Sequence, residues 1–343
     1  MQNKLYLIIF SAFLHTLVTA LPCKADAPNA VWTFVVMGDT RDKTTYTMTG
    51  VSPDLPGMAE AIAQEQPDFV IHTGDLTNGY YTTQDSPVHG KFKEMFHNWK
   101  SAVRPIYDYQ NKTGIPIYIV RGNHEDGKVI TDAELKKAYI EEFALFMPQN
   151  GPEYEKGLTY SFLHKGAKFF ALDGYYDKEA MVIRGYVNQP WLNKNLARDK
   201  RPFLFVFSHT PAYRVGDYHE SPFPDLYSHP KQRDILWNSL KKAGVIAYFC
   251  GHIHFYCRGR VGGIEQIVVG DGGADTVEYN LKNVDPALQM HYPSATMDAS
   301  DVETGYLVMR VDERAGKVKG VQKLWNKKTG KWVTGDIFTL KPY

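Results

Sequence analysis

"VIAYFCGHIHFYC", residues 245–257, is an apolar run that halts at a cysteine–glycine pair and then presents two histidines two positions apart. Cys250, His252, His254 and Cys257 are all metal-ligand types. Four ligands crowded into one segment make a poor zinc knot, because structural zinc sites draw on two separated pairs. The segment reads better as one corner of a site completed from elsewhere in the chain.

Four other apolar runs end the same way. Residues 32–37 lead into Gly38-Asp39, 69–73 into Gly74-Asp75, 115–121 into Gly122-Asn123-His124, and 203–207 into Ser208-His209. Each is apolar on both faces, as a strand buried between layers must be, and each ends in a small or turn-forming residue followed by a metal-ligand type. Helical spacing fills the intervals at 56–66, 90–103, 132–146, 190–197 and 230–243. Strand–helix alternation implies an α/β fold with mainly parallel central strands, and such sheets place their sites beyond the carboxyl ends of the strands. One such ending is chance, whereas five point to a single convergent site. A hairpin is expected from 159–164 and 168–173, and after residue 255 the pattern turns to strands at 265–269, 305–311, 318–323 and 331–340. No linker separates a second domain, so 28–343 is read as one domain with C-terminal strands.

The 343 residues are 43% hydrophobic and 22% charged, enough for a sizeable core, and the net charge of +1 argues against a nucleic-acid groove. Lys4 precedes an apolar run to Leu21 that is short and polar for a membrane span and reads as a signal peptide over 1–27, cut between about 20 and 27. The alternative is an uncleaved anchor. Cleavage implies a periplasmic or extracellular protein with no membrane span in the mature chain. It leaves two of the three cysteines, Cys250 and Cys257, where a disulfide is permitted. Such a bridge requires the loop between them to double back, since its Cα atoms must lie within about 7 Å.

Gly38-Asp39-Thr40-Arg41, Gly74-Asp75, Gly122-Asn123-His124-Glu125, Ser208-His209 and Gly251-His252-Ile253-His254, in this order, resemble the five blocks of the calcineurin-like metallophosphoesterases. The resemblance covers roughly 30–275, and the last block, with Arg258 after it, is similar to the purple acid phosphatase branch. It implies a four-layer α/β/β/α sandwich of two mixed sheets and a dinuclear metal centre. One metal would be held by Asp39, Asp75 and His254, the other by Asp75, Asn123, His209 and His252, with Asp75 as the bridge. Mixed nitrogen and oxygen ligands suit Mn, Fe, Zn or Co better than calcium. Two such ions can create hydroxide near neutral pH for in-line attack on phosphorus, with His124 as proton donor to the leaving oxygen. The implied function is an exported phosphoric ester hydrolase acting on a small-molecule phosphomonoester. The alternatives are a phosphodiesterase for nucleotides or phospholipid head groups, and a metal-bearing phospho-ligand binding protein without turnover.

Two positions depart from the pattern. Arg41 stands where the first block usually supplies a histidine ligand, and a guanidinium stays protonated and cannot ligate. It is read as a phosphate contact that weakens the first metal subsite. Asn78 stands where related branches carry an acid or a tyrosine, and it is expected to accept a hydrogen bond from His124. Taken singly, each ligand reads as a turn or capping residue; the set does not. His72 and His164 lie within strands and read as packed or exposed residues, and Asp271 reads as a loop residue near the site. Tyr80, Tyr81, Tyr107 and Tyr109 offer a pocket wall, but 22 tyrosines in the chain favour ordinary packing.

Overall fold

Apolar runs that must hide both faces need a layer on each side, and the chain supplies them. The computed structural model describes residues 31–342 except 44–47, 80–83, 127–132, 179–180, 217–225, 276–281 and 293–301. The signal-peptide reading of 1–27, with Cys23, and the readings of Tyr80 and Tyr81 lie outside the described residues. In chain order the first elements are β1 (Val31–Met37), α1 (Leu55–Gln64), β2 (Phe69–His72), α2 (Phe92–Ala102), a short hairpin of β3 (Tyr107–Asp108) and β4 (Thr113–Gly114), and β5 (Ile117–Ile119). Next come α3 (Asn123–Asp126), α4 (Ala133–Glu142), β6 (Tyr160–His164), β7 (Ala167–Ala171), β8 (Tyr175–Lys178) and β9 (Met181–Arg184). They are followed by α5 (Gln189–Leu196), β10 (Phe203–Phe207), α6 (Pro230–Ala243), β11 (Val245–Cys250), β12 (Tyr256–Val261) and β13 (Ile264–Val269). The last group is β14 (Gln289–Tyr292), β15 (Val302–Asp312), β16 (Lys317–Asn326) and β17 (Lys331–Leu340).

Two sheets carry the fold. One has six strands in the order β17-β16-β15-β1-β2-β5, the other seven in the order β14-β12-β13-β11-β10-β7-β6. Within the first, β1, β2 and β5 run parallel, and the C-terminal strands add to them antiparallel. Within the second, β7, β10, β11 and β13 run parallel. Both sheets are therefore mixed, as the sandwich requires. Their facing sides interlock through aromatic rings. Phe34 of β1 meets Phe169, Phe205 and Phe249 of the opposite sheet at centroid distances of 5.2, 5.5 and 5.9 Å. Phe69 meets Phe162 and Phe169 at 5.3 and 5.1 Å.

Helices close the outer sides. The first turn of α1 contains Pro56, whose fixed φ suits that position, and Leu55, Met58, Ala59 and Ile62 bury one stripe in the core of the first sheet. The last helix, α6, stops at Gly244, where φ is 80°, and buries Leu236, Trp237 and Leu240 against Leu204, Val206 and Tyr248 of the second sheet. The architecture is the four-layer α/β/β/α sandwich of the sequence reading.

The differences have physical reasons. The strand expected over 115–121 contracts to β5; at its start Pro116 has no N–H for the ladder, although its carbonyl still accepts from Val70 N at 2.8 Å. The helix expected to reach residue 146 ends at Glu142 and is followed by a single tight turn over Ala144–Phe146. An unexpected strand, β12, follows directly on the histidine segment.

That strand also decides the disulfide. Cys250 on β11 and Cys257 on β12 both register against Val268 of β13, one from each side. The loop does double back, but β13 lies between the two cysteines. Two strand spacings put their Cα atoms about 10 Å apart, beyond the reach of a bridge. Both are reduced thiols buried in apolar surroundings, so the disulfide the sequence permits is not formed. Among the described residues, no helix is long and apolar enough to cross a membrane.

Candidate metal centre

All five strand ends meet at one edge of the sandwich. Asp39 follows β1, Asp75 follows β2, Asn123 follows β5, His209 follows β10, and His252 and His254 follow β11. Three of these residues hold left-handed backbone: φ is 55° at Asp39, 56° at Asp75 and 69° at His252. Non-glycine residues adopt this region at a cost, and its concentration at one place marks a site over-determined by its surroundings. Neighbouring loops supply the ties. Asp39 N donates to Gly74 O at 2.9 Å, Arg41 N to Asp75 O at 3.2 Å, and Gly251 N to His209 O at 2.8 Å. A Cβ on Gly122 would overlap the Asp75 carboxylate and one on Gly251 the Asp39 carboxylate, so both positions need glycine for close approach.

Backbone amides aim the carboxylates. His124 N donates to Asp75 Oδ1 at 3.0 Å, and His252 N donates to Asp39 Oδ1 and Oδ2 at 3.1 and 3.0 Å. Glu125, quoted in the sequence motif but given no role there, proves to be the keystone of two loops. Its Oε2 accepts from Asp75 N and Gly122 N at 2.9 and 2.8 Å, and its Oε1 from Leu76 N and Thr77 N at 2.8 and 3.2 Å. Burial, with the Asp75 carboxylate beside it, pushes the Glu125 carboxyl up, while the amides pull it down. Four N–H donors fit the ionised form, since a protonated oxygen would have to face one of them.

The hydrogen-bond pattern fixes the His209 tautomer. His209 Nδ1 lies 2.8 Å from Thr73 O, and a carbonyl only accepts, so Nδ1 carries the proton and the neutral ring turns its Nε2 lone pair inward. That Nε2 faces Asn123 Oδ1 at 2.9 Å, Asp75 Oδ1 at 3.4 Å and His252 Nδ1 at 3.2 Å, and His252 Nδ1 lies 2.8 Å from Asn123 Oδ1. With the lone pair of His252 Nδ1 also turned inward, such crowding of acceptor atoms calls for a cation to join them. The spacings suit adjacent ligands around an ion with bonds of about 2.0–2.3 Å. Donor atoms of Asp39, Asp75 and His209 also lie within 4.8 Å of one another. Burial, with Asp75 next to it, raises the Asp39 carboxyl well above the usual range, opposed by Arg41. A cation would relieve that crowding too. The residues expected at the second subsite therefore fit a metal.

The first subsite is arranged differently. His254 Nδ1 donates to Asp275 O at 2.6 Å, and its Nε2 meets Arg41 Nη2 at 3.3 Å and stands 3.8 Å from Asp39 Oδ1. Arg41 is buried among the residues expected to hold the first ion.

His124 sits beside the centre, its Nε2 3.7 Å from Asp75 Oδ2. Burial lowers the imidazole to about 3, with Asp75 opposing, so the ring is neutral near pH 7. Its Nδ1 donates to Asn78 at 2.9 Å, but to the backbone carbonyl and not to the side chain expected. The Asn78 side chain turns away and donates to Lys43 O at 3.2 Å.

The remaining readings sort as follows. His72 is packed, its Nε2 2.9 Å from Thr40 Oγ1 and its Nδ1 accepting from Gly74 N at 3.1 Å. His164 pairs with Asp68 at 3.1 Å. Tyr109 packs in the core with Trp99 and Tyr107. Asp271 is buried behind the site, where burial raises its carboxyl to about 6 and Gln322 Nε2 donates to it at 3.2 Å.

Comparison with known proteins accords with this geometry. The model of the calcineurin-like phosphoesterases matches residues 33–256. The chain belongs to that family. It is 29% identical over 167 residues to purple acid phosphatase 21 of Arabidopsis thaliana, a stretch that covers 46% of this chain and 36% of that protein. The chain thus spans about a third of the length of this relative. Among solved structures it is similar to purple acid phosphatase PPD1 from yellow lupin seeds (Lupinus luteus), with a TM-score of 0.62 and 18% identity, covering 90% of this chain and 53% of that one. It is also similar to GAP50, the anchor in the inner membrane complex of Plasmodium, with a TM-score of 0.57 and 15% identity, covering 91% and 89% of the two chains. At these identities the structural likenesses concern the fold.

Proposed function

We propose that this calcineurin-like phosphoesterase hydrolyses phosphoric esters in a metal-dependent reaction, with phosphomonoesters as the preferred class. The observation that carries the reading is the set of facing acceptor atoms from Asp75, Asn123, His209 and His252, linked by contacts of 2.8 to 3.4 Å. A bound Mn, Fe, Zn or Co ion supplies Lewis acidity toward a phosphoryl oxygen and lowers the pKa of water.

The chain's own residues do the rest. Asp75 Oδ1 faces His209 while its Oδ2 faces His124 and Arg41, so one carboxylate sets the spacing across the site. Arg41 presents a permanent charge to the phosphoryl oxygens. The Asn78 carbonyl holds the His124 ring with Nε2 toward the centre; the charge of a phosphate beside it favours protonation of Nε2 from solvent, and the imidazolium then passes that proton to the leaving oxygen. Export to the periplasm or the exterior, expected from residues 1–27, belongs to the proposal on the strength of the N-terminal sequence.

The test is hydrolysis of a chromogenic monoester and diester with added manganese. Faster monoester cleavage supports the proposal, and faster diester cleavage favours the phosphodiesterase alternative. One observation favours a second reading, a phospho-ligand binding protein without turnover: Arg41 among the ligands of the first subsite. Phosphate binding with neither ester cleaved would establish it.

A further inference from the structure

We propose that this centre holds one resident metal ion and that the Arg41 guanidinium is the built-in cation in place of the other. The inference rests on the reading above that Asp75, Asn123, His209 and His252 hold a metal.

The position of Arg41 is set by backbone before its side chain is considered. Asp39 turns the chain at φ 55°, Arg41 N donates to Asp75 O, and Arg41 pairs with Val51 in an isolated bridge. The side chain, 3% exposed, is thereby directed between the two carboxylates and His254. Nη2 lies 3.3 Å from His254 Nε2, Nε lies 4.0 Å from Asp75 Oδ2, and Nη1 donates to Asp42 O at 2.8 Å and stands 3.6 Å from Asp275 Oδ2.

The decisive contact is with His254. Its Nδ1 hydrogen is committed to the Asp275 carbonyl at 2.6 Å, so its only lone pair is on Nε2. That lone pair is the one a first metal would need, and the guanidinium already occupies it. A guanidinium keeps its proton under all conditions in which the protein is folded, so it cannot become a ligand and would repel a divalent ion beside it. It nevertheless supplies positive charge to Asp39 and Asp75, as an ion would. Arg41 Nε adds a second, independent observation. It is buried and has no hydrogen-bond partner, because Asp75 at 4.0 Å is too far. A tetrahedral oxyanion entering the centre is the ligand that would satisfy it. The asymmetry between the subsites is thus built in: four ligand-type groups, from Asp75, Asn123, His209 and His252, crowd together on one side, while a cation is already covalently supplied on the other.

The experiment is metal counting on the full chain, dialysed after loading with manganese. The expected result is one ion per chain, with the uncoupled six-line spin-resonance signal of isolated manganese. Arg41→His, which replaces the guanidinium by a ligand, should raise the count to two and produce a spin-coupled pair. Arg41→Ala, which asks less of the local packing, should add a second, weaker binding step in a calorimetric titration with manganese. It should also weaken the binding of inorganic phosphate tenfold or more. Two ions per chain in the unaltered protein would overturn the inference while leaving the metal reading intact. No bound ion would overturn the metal reading itself, and this inference with it.

Discussion

Replacing Glu125 by Gln should destabilise the protein without touching the core or removing a metal ligand. The carboxylate accepts four backbone N–H groups, two on each oxygen, at 2.8 to 3.2 Å, and is fully buried. The amide keeps one oxygen and turns an NH2 group toward the other two donors. Two buried N–H groups then lack an acceptor, at about 1–3 kcal/mol each. A neutral amide is cheaper to bury than a carboxylate, which offsets part of the loss and leaves a net of about 3 kcal/mol. In a chain of this size that corresponds to a fall in Tm of roughly 4 °C. Thermal unfolding of both proteins in excess chelator reads this directly, since metal loss then affects neither. The left-handed turn at Asp75 also depends on those amides, so manganese affinity should fall in parallel. A Tm within one degree of the unaltered protein would refute the keystone role of Glu125.

Three further outcomes follow from the same geometry. Phe169 touches Phe34 and Phe69 across the sheet interface and Phe162 and Phe205 on the neighbouring strands of its own sheet, at 4.9 to 5.2 Å; Phe169→Ala should cost about 3–5 kcal/mol in urea unfolding, and a loss below about 1 kcal/mol would contradict the interlocked core. Burial raises the Glu155 carboxyl to about 7, above its unfolded value, so its contribution to stability is complete below about pH 4.5 and is lost as pH rises through about 7. Glu155→Gln should therefore become the more stable of the two above pH 7, by up to about 3 kcal/mol, and parallel stability–pH curves would sink the assignment. His124→Ala should keep its metal yet lose about a hundredfold in turnover, less with good leaving groups; an equal loss across leaving groups would make His124 a positioning residue.

The sandwich was legible because each central strand advertises itself twice, once by an unbroken apolar run and once by the ligand type that follows it. Phe203–Phe207 and Pro230–Ala243 have the limits their composition suggests. The strand at 115–121 was overdrawn at its start because Pro116 withholds an N–H from the ladder without interrupting the apolar pattern. The strand Tyr256–Val261 was hidden because it begins inside the metal motif and carries Arg258 and Arg260, whose charges are answered by Asp336 and Glu265 from other strands. The six candidate ligand positions were readable as types at strand ends. The roles of Glu125 and Asp275 were not, since both act on backbone or tautomer geometry that exists only after folding. Arg41 lay between these cases: its presence was plain in the sequence, but its contact with His254 spans more than two hundred residues.

The claim beneath all of this is that turnover depends on metal held at the strand ends. The most direct measurement strips the purified chain with chelator, assays a chromogenic phosphomonoester, and then titrates manganese back. Turnover should vanish in the stripped protein and return with manganese, and Asp75→Ala should abolish both the return and the binding of the ion. Full turnover in the metal-free protein, or undiminished metal binding and turnover in Asp75→Ala, would contradict it.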